Sequence, residues 1–373
     1  MKVYFDNAAT TALDPEVLEA MLPYMTEHYG NPSSIHAFGR KTRAAIEAAR
    51  KSVAKSLNVS PSEIFFTSGG TEADNMAIQC SIHDLGITHA ITSRIEHHAV
   101  LHTLEELEHE GKVKVSYVNL TANGHVDLQH LEELLKTNPP SLVSLMHANN
   151  EIGNLLPLKE VGELCETYGA LFHSDTVQTI GHYAMDLQKI NIHFLACGAH
   201  KFHGPKGVGF IYINAKVKIK PIIFGGSQER NMRAGTENLY GIIGLATALE
   251  IALRDLEKHQ NHITDLKTYM VEQLKANIKG VEFNGSCLTK SLYTVLSVSF
   301  PPTENSEMFL FNLDIAGIAA SGGSACTSGS SKGSHVLSAI GGDTSRPSVR
   351  FSFCKHSTKE EVDYTVAKLK ELF

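Results

Sequence analysis

The chain has 373 residues, 42% hydrophobic and 20% charged, an ordinary globular composition with room for two domains. A formal net charge of −7 without a long basic block argues against nucleic-acid binding, and no apolar run reaches the length a membrane helix needs. Six cysteines (Cys80, Cys165, Cys197, Cys287, Cys326 and Cys354) are scattered without C-x-x-C pairs, so neither a disulfide framework nor a metal site is expected. Met1 to Asn7 enters a folded pattern at once, so a signal or transit peptide is not expected and the cytoplasm is the expected compartment.

Tyr4 to Thr11 reads as a short extended arm, and a helix is predicted from Pro15 to about His28 with Asp14 as its N-cap. Gly30-Asn31-Pro32 breaks it, and a second amphipathic helix runs from roughly Phe38 to Leu57, with Ala44, Ala45, Ala48 and Ala49 suited to close packing. Ile64 to Thr67 predicts a strand, Ser68-Gly69-Gly70-Thr71 a turn, and a helix follows to about Leu85. Backbone N–H groups at such a helix start, with a hydroxyl beside them, form a phosphate cradle, although Gly-Gly turns also serve geometry alone. Further strands are expected at His89–Thr92, Val113–Val118 and Leu142–Met146, with a helix beginning around Ile95-Glu96-His97-His98. His147 to Gly153, containing Asn149-Asn150-Glu151, follows the last of these strands as a polar turn.

Leu171 to Asp175 is an apolar run ending in an acid, with Gln178 three positions on. Cys197-Gly198-Ala199-His200-Lys201 then leads through a glycine-rich turn into the strand Val208 to Ile213. Lys201, between small residues at the edge of a core, is either an ordinary loop lysine or an amine of lowered pKa able to form a Schiff base. Asp175 upstream favours the second reading. Pyridoxal phosphate (PLP) chemistry needs a lysine for the cofactor's aldehyde and a carboxylate for its ring nitrogen. Alternating apolar runs and helical patterns from residue 64 to about 213 signal an α/β domain with a mainly parallel sheet, whose ligands bind at the carboxyl ends of the strands.

Phe224 to Asn238 holds Arg230, Arg233, Gly235 and Thr236 at a turn suited to anions. A helical stretch from Asn238 to Ala276 follows, with a domain boundary expected near residue 258. After the apolar Ile315–Ala320, Ser321 to Ser334 is almost wholly Gly, Ser, Ala and Thr around Cys326. A structural cysteine sits among apolar neighbours. This stretch cannot pack a core, so it is either a plain flexible loop or the solvent-reachable setting of a reactive thiol.

These segments resemble the class V aminotransferases and, within them, the group I cysteine desulfurases of the NifS- and IscS-like branch. The resemblance runs from Tyr4 to the end of the chain. Its motifs are His173-Ser174-Asp175-x-x-Gln178, Ala199-His200-Lys201-x-x-Gly204-Pro205-Lys206-Gly207-x-Gly209 and Asn149-Asn150-Glu151-x-Gly153. To these add Gly323-Ser324-Ala325-Cys326-Thr327-Ser328 and Ser348-Val349-Arg350-Phe351-Ser352.

The resemblance implies the fold type I of PLP-dependent transferases. A large domain over 14–258 would hold a mainly parallel seven-stranded sheet. A smaller α/β domain, 1–13 with 259–373, would carry the cysteine loop. It implies that Lys201 binds PLP and acts as base, that Asp175 meets the ring nitrogen and Gln178 the phenolic oxygen. Gly70 and Thr71 would hold the phosphate, His97 would stack on the ring and carry protons, and His200 would adjoin the cofactor. Asn150 would lie beside cofactor and substrate, and Arg350 would clamp the substrate carboxylate bidentately. Thr236 would reach the phosphate of the other subunit in a homodimer. Cys326 would take sulfur from L-cysteine as a persulfide, leaving alanine, and pass it to an acceptor such as an iron–sulfur scaffold or a thiolation carrier. Gly198 departs from the family's Ser or Thr, His193 from its frequent aspartate, and Ser227 and Gly322 from the usual Gly and Ser. The rival expectations are a selenocysteine lyase or aminotransferase of the same fold, or a sulfur-carrier subunit without turnover.

Overall fold

The computed structural model describes residues 1–138, 140–303, 306–323, 333–343 and 345–372. After the short strand β1 (Val3–Tyr4), two helices open the chain, α1 (Pro15–Thr26) and α2 (Ala37–Ser56). Asp14 caps α1 by accepting from the Glu16 N–H at 2.8 Å, with Pro15 at the first helical position, where its missing N–H costs nothing. Then strands and helices alternate: β2 (Ile64–Thr67), α3 (Gly70–Leu85), β3 (His89–Thr92), α4 (His98–His109), β4 (Lys114–Tyr117), α5 (Leu128–Thr137), β5 (Ser141–Ser144), α6 (Leu158–Thr167), β6 (Leu171–Asp175), β7 (Phe194–Gly198) and β8 (Gly209–Ile213). The long helices α7 (Leu239–Arg254) and α8 (Leu256–Asn277) follow. The chain closes with β9 (Glu282–Phe283), β10 (Val295–Ser299), α9 (Phe309–Ile315), β11 (Ile318–Ala319), α10 (His335–Ala339), β12 (Ser348–Ser352) and α11 (Lys359–Lys370).

Seven strands form the central sheet in the order β2-β8-β7-β6-β5-β3-β4. All its pairings are parallel except those of β8, which runs antiparallel to both β2 and β7. Strands β5, β7 and β8 are buried along their whole length, as a sheet covered by helices on both faces requires. This is the α/β fold expected, with the mainly parallel seven-stranded sheet. A three-stranded antiparallel sheet, β12-β10-β9, and the parallel pair β1-β11 complete the pairing.

The largest apolar cluster joins the sheet to α1, α2 and α7 and draws on residues from Val17 to Ala252. A second joins Val3 and Phe5 to residues from Ile263 to Leu369. The single helical stretch expected over 238–276 is two helices. Asp255 leaves the helical region at φ −105°, ψ 15°, and its carboxylate binds Arg254, which also pairs with Glu16 of α1. The break falls where the packing changes, from the first cluster through Ala252 to the second from Ile263. No helix among the described residues is long and apolar enough to cross a membrane.

Candidate active site

Five connections leave the carboxyl edge of the central sheet and converge on one cleft of about 220 Å³. The turn after β2 delivers Gly70 and Thr71, and the one after β3 delivers His97. The turn after β5 brings Asn150, β6 ends on Asp175 and continues to Gln178, and β7 runs into His200 and Lys201. Arg350 of β12 and the backbone of Ala8 and Ala9 form the remaining wall. Nine of the expected residues thus line one space: Gly70, Thr71, His97, Asn150, Asp175, Gln178, His200, Lys201 and Arg350. Thr236 does not. It lies in a separate cleft with Thr67, Ser68 and Arg233. Cys326 lies outside the described residues.

Glycine is required at position 70 because an added Cβ would meet Val177 Cγ2 at 2.4 Å. The helix α3 starts there with no side chain capping its first turn, so its N–H groups and partial positive charge face the cleft beside the Thr71 hydroxyl. Gly209 fits β8 against this turn, since a Cβ would meet Cys197 O at 2.1 Å and Gly69 Cα at 2.8 Å.

The Lys201 ammonium donates to the carbonyls of Ala8 and Ala9, both at 2.7 Å, and Gln178 Nε2 donates to the Ala8 carbonyl at 3.0 Å. Asp175 is buried and accepts from the Val177 N–H at 2.9 Å. Burial pushes its carboxyl up, and the nearby His97, that N–H and Lys201 pull it back toward ionisation. His97 caps α4, its Nδ1 accepting from the Ala99 N–H at 3.1 Å. That bond puts the ring proton on Nε2. His98 is absent from the cleft wall, with its ring 4.6 Å from those of His102 and His335. His200 Nδ1 meets Thr10 Oγ1 at 3.1 Å, and burial, with Lys201 and Lys206, pushes its pKa down to about 4.

Arg350 is 3% exposed. Its Nη2 donates to Asp6 at 2.7 Å and its Nη1 to the Asn150 carbonyl at 3.0 Å, while its buried Nε has no partner among the described residues. An orphaned guanidinium N–H at a cleft wall is a seat for an anion. Asn149 has a different task from Asn150. Its side-chain oxygen accepts from the Glu151 and Ile152 N–H groups and so builds the turn that presents its neighbour.

The family model for class-V aminotransferases matches residues 3–365 of this chain. The chain belongs to the class-V aminotransferase family. Among curated relatives of this class-V chain, one named cysteine desulfurase IscS from Dictyoglomus turgidum is 44% identical over all of it and 94% of the relative. A solved structure titled NifS-like protein superposes with a TM-score of 0.92 at 41% identity, covering 100% of this chain and 99% of that one. Another, titled SspA in complex with cysteine, gives 0.83 at 32% identity, covering 96% and 100%.

Class-V aminotransferases use PLP, and the cleft fits it. An uncapped helix start with a hydroxyl suits the phosphate, a buried carboxylate suits the ring nitrogen, and a lysine lines the same cleft.

Several residues were missed in the sequence. Asp6 holds Arg350, the carbonyls of Ala8 and Ala9 hold Lys201, and Asp74 lines the cleft floor next to Asp175. Buried Glu96 accepts from the Met146 N–H and from Ser93, and burial pushes its carboxyl up to about 8. For Asp74 a signal existed: it stands three residues after Thr71 on one helix, and such pairs share a face.

Proposed function

We propose that this chain is a PLP-dependent cysteine desulfurase that takes L-cysteine to L-alanine and leaves the sulfur as a persulfide on Cys326. The observation that carries the reading is the cleft itself. It combines Lys201, Asp175 and the α3 start with a buried arginine whose Nε–H awaits an anion, in a chain similar along its whole length to named desulfurases.

The bound cofactor supplies an electron sink for the substrate's α-carbon. Lys201 would hold it covalently, and its Nζ would take the α-proton. Asp175 would keep the ring nitrogen protonated, Gln178 would donate to the phenolic oxygen, and His97 would cover the ring with its Nε2–H available for proton transfer. His200 and Asn150 shape the wall, and Arg350 binds the substrate carboxylate. The Cys326 thiolate forms a bond to the substrate sulfur as the carbon–sulfur bond breaks, and the electrons of that bond leave with the carbon fragment, which is protonated and departs as alanine. The ends of the Cys326 segment support the assignment. Ser334 donates to Glu151, a Cβ on Gly323 would stand 3.2 Å from the same carboxylate, and Glu151 adjoins Asn150 of the cleft.

The working unit we infer is a homodimer, with Thr236 completing the partner's phosphate site. The exposed apolar residues Leu18, Leu22, Met25, Tyr29, Phe38 and Phe224 offer the area for it. Residues 14–258, and 1–13 with 259–373, would be its two domains, a division supported by the two apolar clusters. We place the enzyme in the cytoplasm, serving a sulfur-acceptor protein such as an iron–sulfur scaffold. The test is incubation of the PLP-loaded protein with L-cysteine and a thiol reductant. Equal amounts of sulfide and alanine are expected, and formation of neither overturns the reading.

A further inference from the structure

Beneath Asp175 the cleft floor holds a second acid that the reaction scheme does not use. Asp74 stands on α3 one turn after the phosphate-facing start and is 1% exposed. One of its oxygens, one of Asp175's and a His97 ring nitrogen all lie within 4.8 Å of one another. Behind it, His173 Nε2 is 3.3 Å from Asp74 Oδ1, yet among the described residues neither atom has another hydrogen-bond partner. The other nitrogen of His173 is 2.8 Å from Ser144 Oγ, and the ring is fully buried.

Two orphaned buried polar atoms 3.3 Å apart imply a proton between them, and the question is which side owns it. Burial pushes His173 down to about 3, so the ring carries a single proton. In one arrangement that proton sits on Nε2 and Asp74 is an anion, beside the anionic Asp175 and near the buried Glu96. In the other, Asp74 is a carboxylic acid donating to Nε2, and the ring's Nδ1–H donates to Ser144. The first puts two carboxylate charges side by side with Asp74 almost wholly buried. Either arrangement satisfies both orphans, and the second does so without burying a charge at Asp74.

The groups facing Asp74 favour the second arrangement. Burial first, then Asp175 of β6 and Glu96 before α4, push its carboxyl well above the usual carboxylate range. His97 and Lys201, which oppose burial at Asp175, give Asp74 no such relief. His173 and Asp175, two apart on β6, project from the same face of the strand, so one strand fixes both partners of Asp74.

We propose that Asp74 is a positioning residue held as a neutral acid, donating to His173 in a buried Asp74–His173–Ser144 relay and leaving Asp175 as the single anion of the floor. Its role is to limit the negative charge of the cleft floor to one. The reading of Asp175's task rests on the proposed function. The protonation of Asp74 does not, and it is measured on the protein without cofactor or substrate.

The experiment is infrared difference spectroscopy of the apoprotein at neutral pH in water and in deuterium oxide. Wild type minus Asp74→Asn should show a carboxylic-acid carbonyl band that shifts down in deuterium oxide and disappears only at alkaline pH. His173→Gln, which keeps Asp74 but changes its acceptor, should move the band without removing it. Adding PLP to wild-type apoprotein should shift it too, which an acid remote from Asp175 would not do. A difference spectrum at neutral pH with carboxylate stretches in place of the acid band overturns the proposal, as does a band that ignores both His173→Gln and the cofactor. Absence of desulfuration with the band present would sink the functional reading alone.

Discussion

The departure at Gly198 can be reversed by one substitution, Gly198→Ser. Gly198 ends β7 at φ −130°, ψ 120°, an extended conformation that any residue adopts. A Cβ there would meet Gly70 N at 3.5 Å, His200 Cδ2 at 3.6 Å and Val177 Cγ1 at 3.7 Å, all ordinary contacts. Nothing in the packing requires glycine, so the serine hydroxyl would sit beside the uncapped start of α3 where the phosphate is expected. A hydrogen bond to a charged group contributes about 1.5–3 kcal/mol, so PLP should bind about 10–100-fold more tightly. The assay is titration of apoprotein with PLP, followed by absorbance, for wild type and variant. Gly70→Ala is the contrasting control, because its Cβ would stand 2.4 Å from Val177 Cγ2 and should weaken binding. An unchanged or weaker affinity in a folded Gly198→Ser protein would refute the argument that the phosphate lies at this turn.

Lys201→Ala should bind PLP without a covalent link, seen as loss of the cofactor adduct by mass spectrometry after borohydride reduction, and turnover should vanish. Arg350→Lys cannot hold both Asp6 and the Asn150 carbonyl while presenting a planar donor, so KM for L-cysteine should rise by about 10–100-fold, the loss of one charged hydrogen bond. Glu96→Gln keeps an acceptor for Met146 N and Ser93 but removes a carboxyl whose pKa is raised to about 8 from 4.5. A raised folded-state pKa gives stability that is full below the unfolded value and lost as pH rises through the folded one. Wild type should therefore lose stability relative to Glu96→Gln by about 1.4 kcal/mol per pH unit across that window, measured by urea unfolding. Cys326→Ser should bind PLP and L-cysteine while desulfuration falls by orders of magnitude, and the extra sulfur of wild type should map by mass spectrometry to the Cys326 peptide.

The parts of this site legible in the sequence were those with local form. A strand running into Gly69-Gly70-Thr71, or into Asp175, or into Gly198-Ala199-His200-Lys201, shows both its element and its chemistry within ten residues, and the parallel sheet then carries each to the same edge. Of the adjacent His97 and His98, the one that caps α4 faces the cleft, while the next one turns toward His102 and His335. The break at Asp255 was not legible, because the helical pattern continues through it and only the change of packing partner stops the helix. Asp74, Glu96 and Glu151 were passed over because burial, which makes an acid notable, cannot be read from a local stretch in which a carboxylate also suits a solvated helix face.

The long-range fastening of the site follows from the same difficulty. Tyr4 to Thr11 reads as an arm with no chemistry of its own, yet its backbone and small side chains hold Lys201, Arg350 and His200 of the cleft. The carbonyls of Ala8 and Ala9 receive Lys201, Asp6 receives Arg350, Thr10 meets His200 Nδ1, and Thr11 bonds the His200 carbonyl through both its N–H and its hydroxyl. Each contact crosses more than 180 residues of chain, so no window of sequence contains both partners. The arm itself is fixed by pairing with Ile318–Ala319 and by Phe5 packing on Phe351 and Phe353, which ties it to the part of the chain that carries Arg350. A strap bound to β11 and β12 at one end and to the lysine turn at the other sets the distance between the amine and the guanidinium. Those two groups must meet opposite ends of one small amino acid, and the arm is the element that couples their positions.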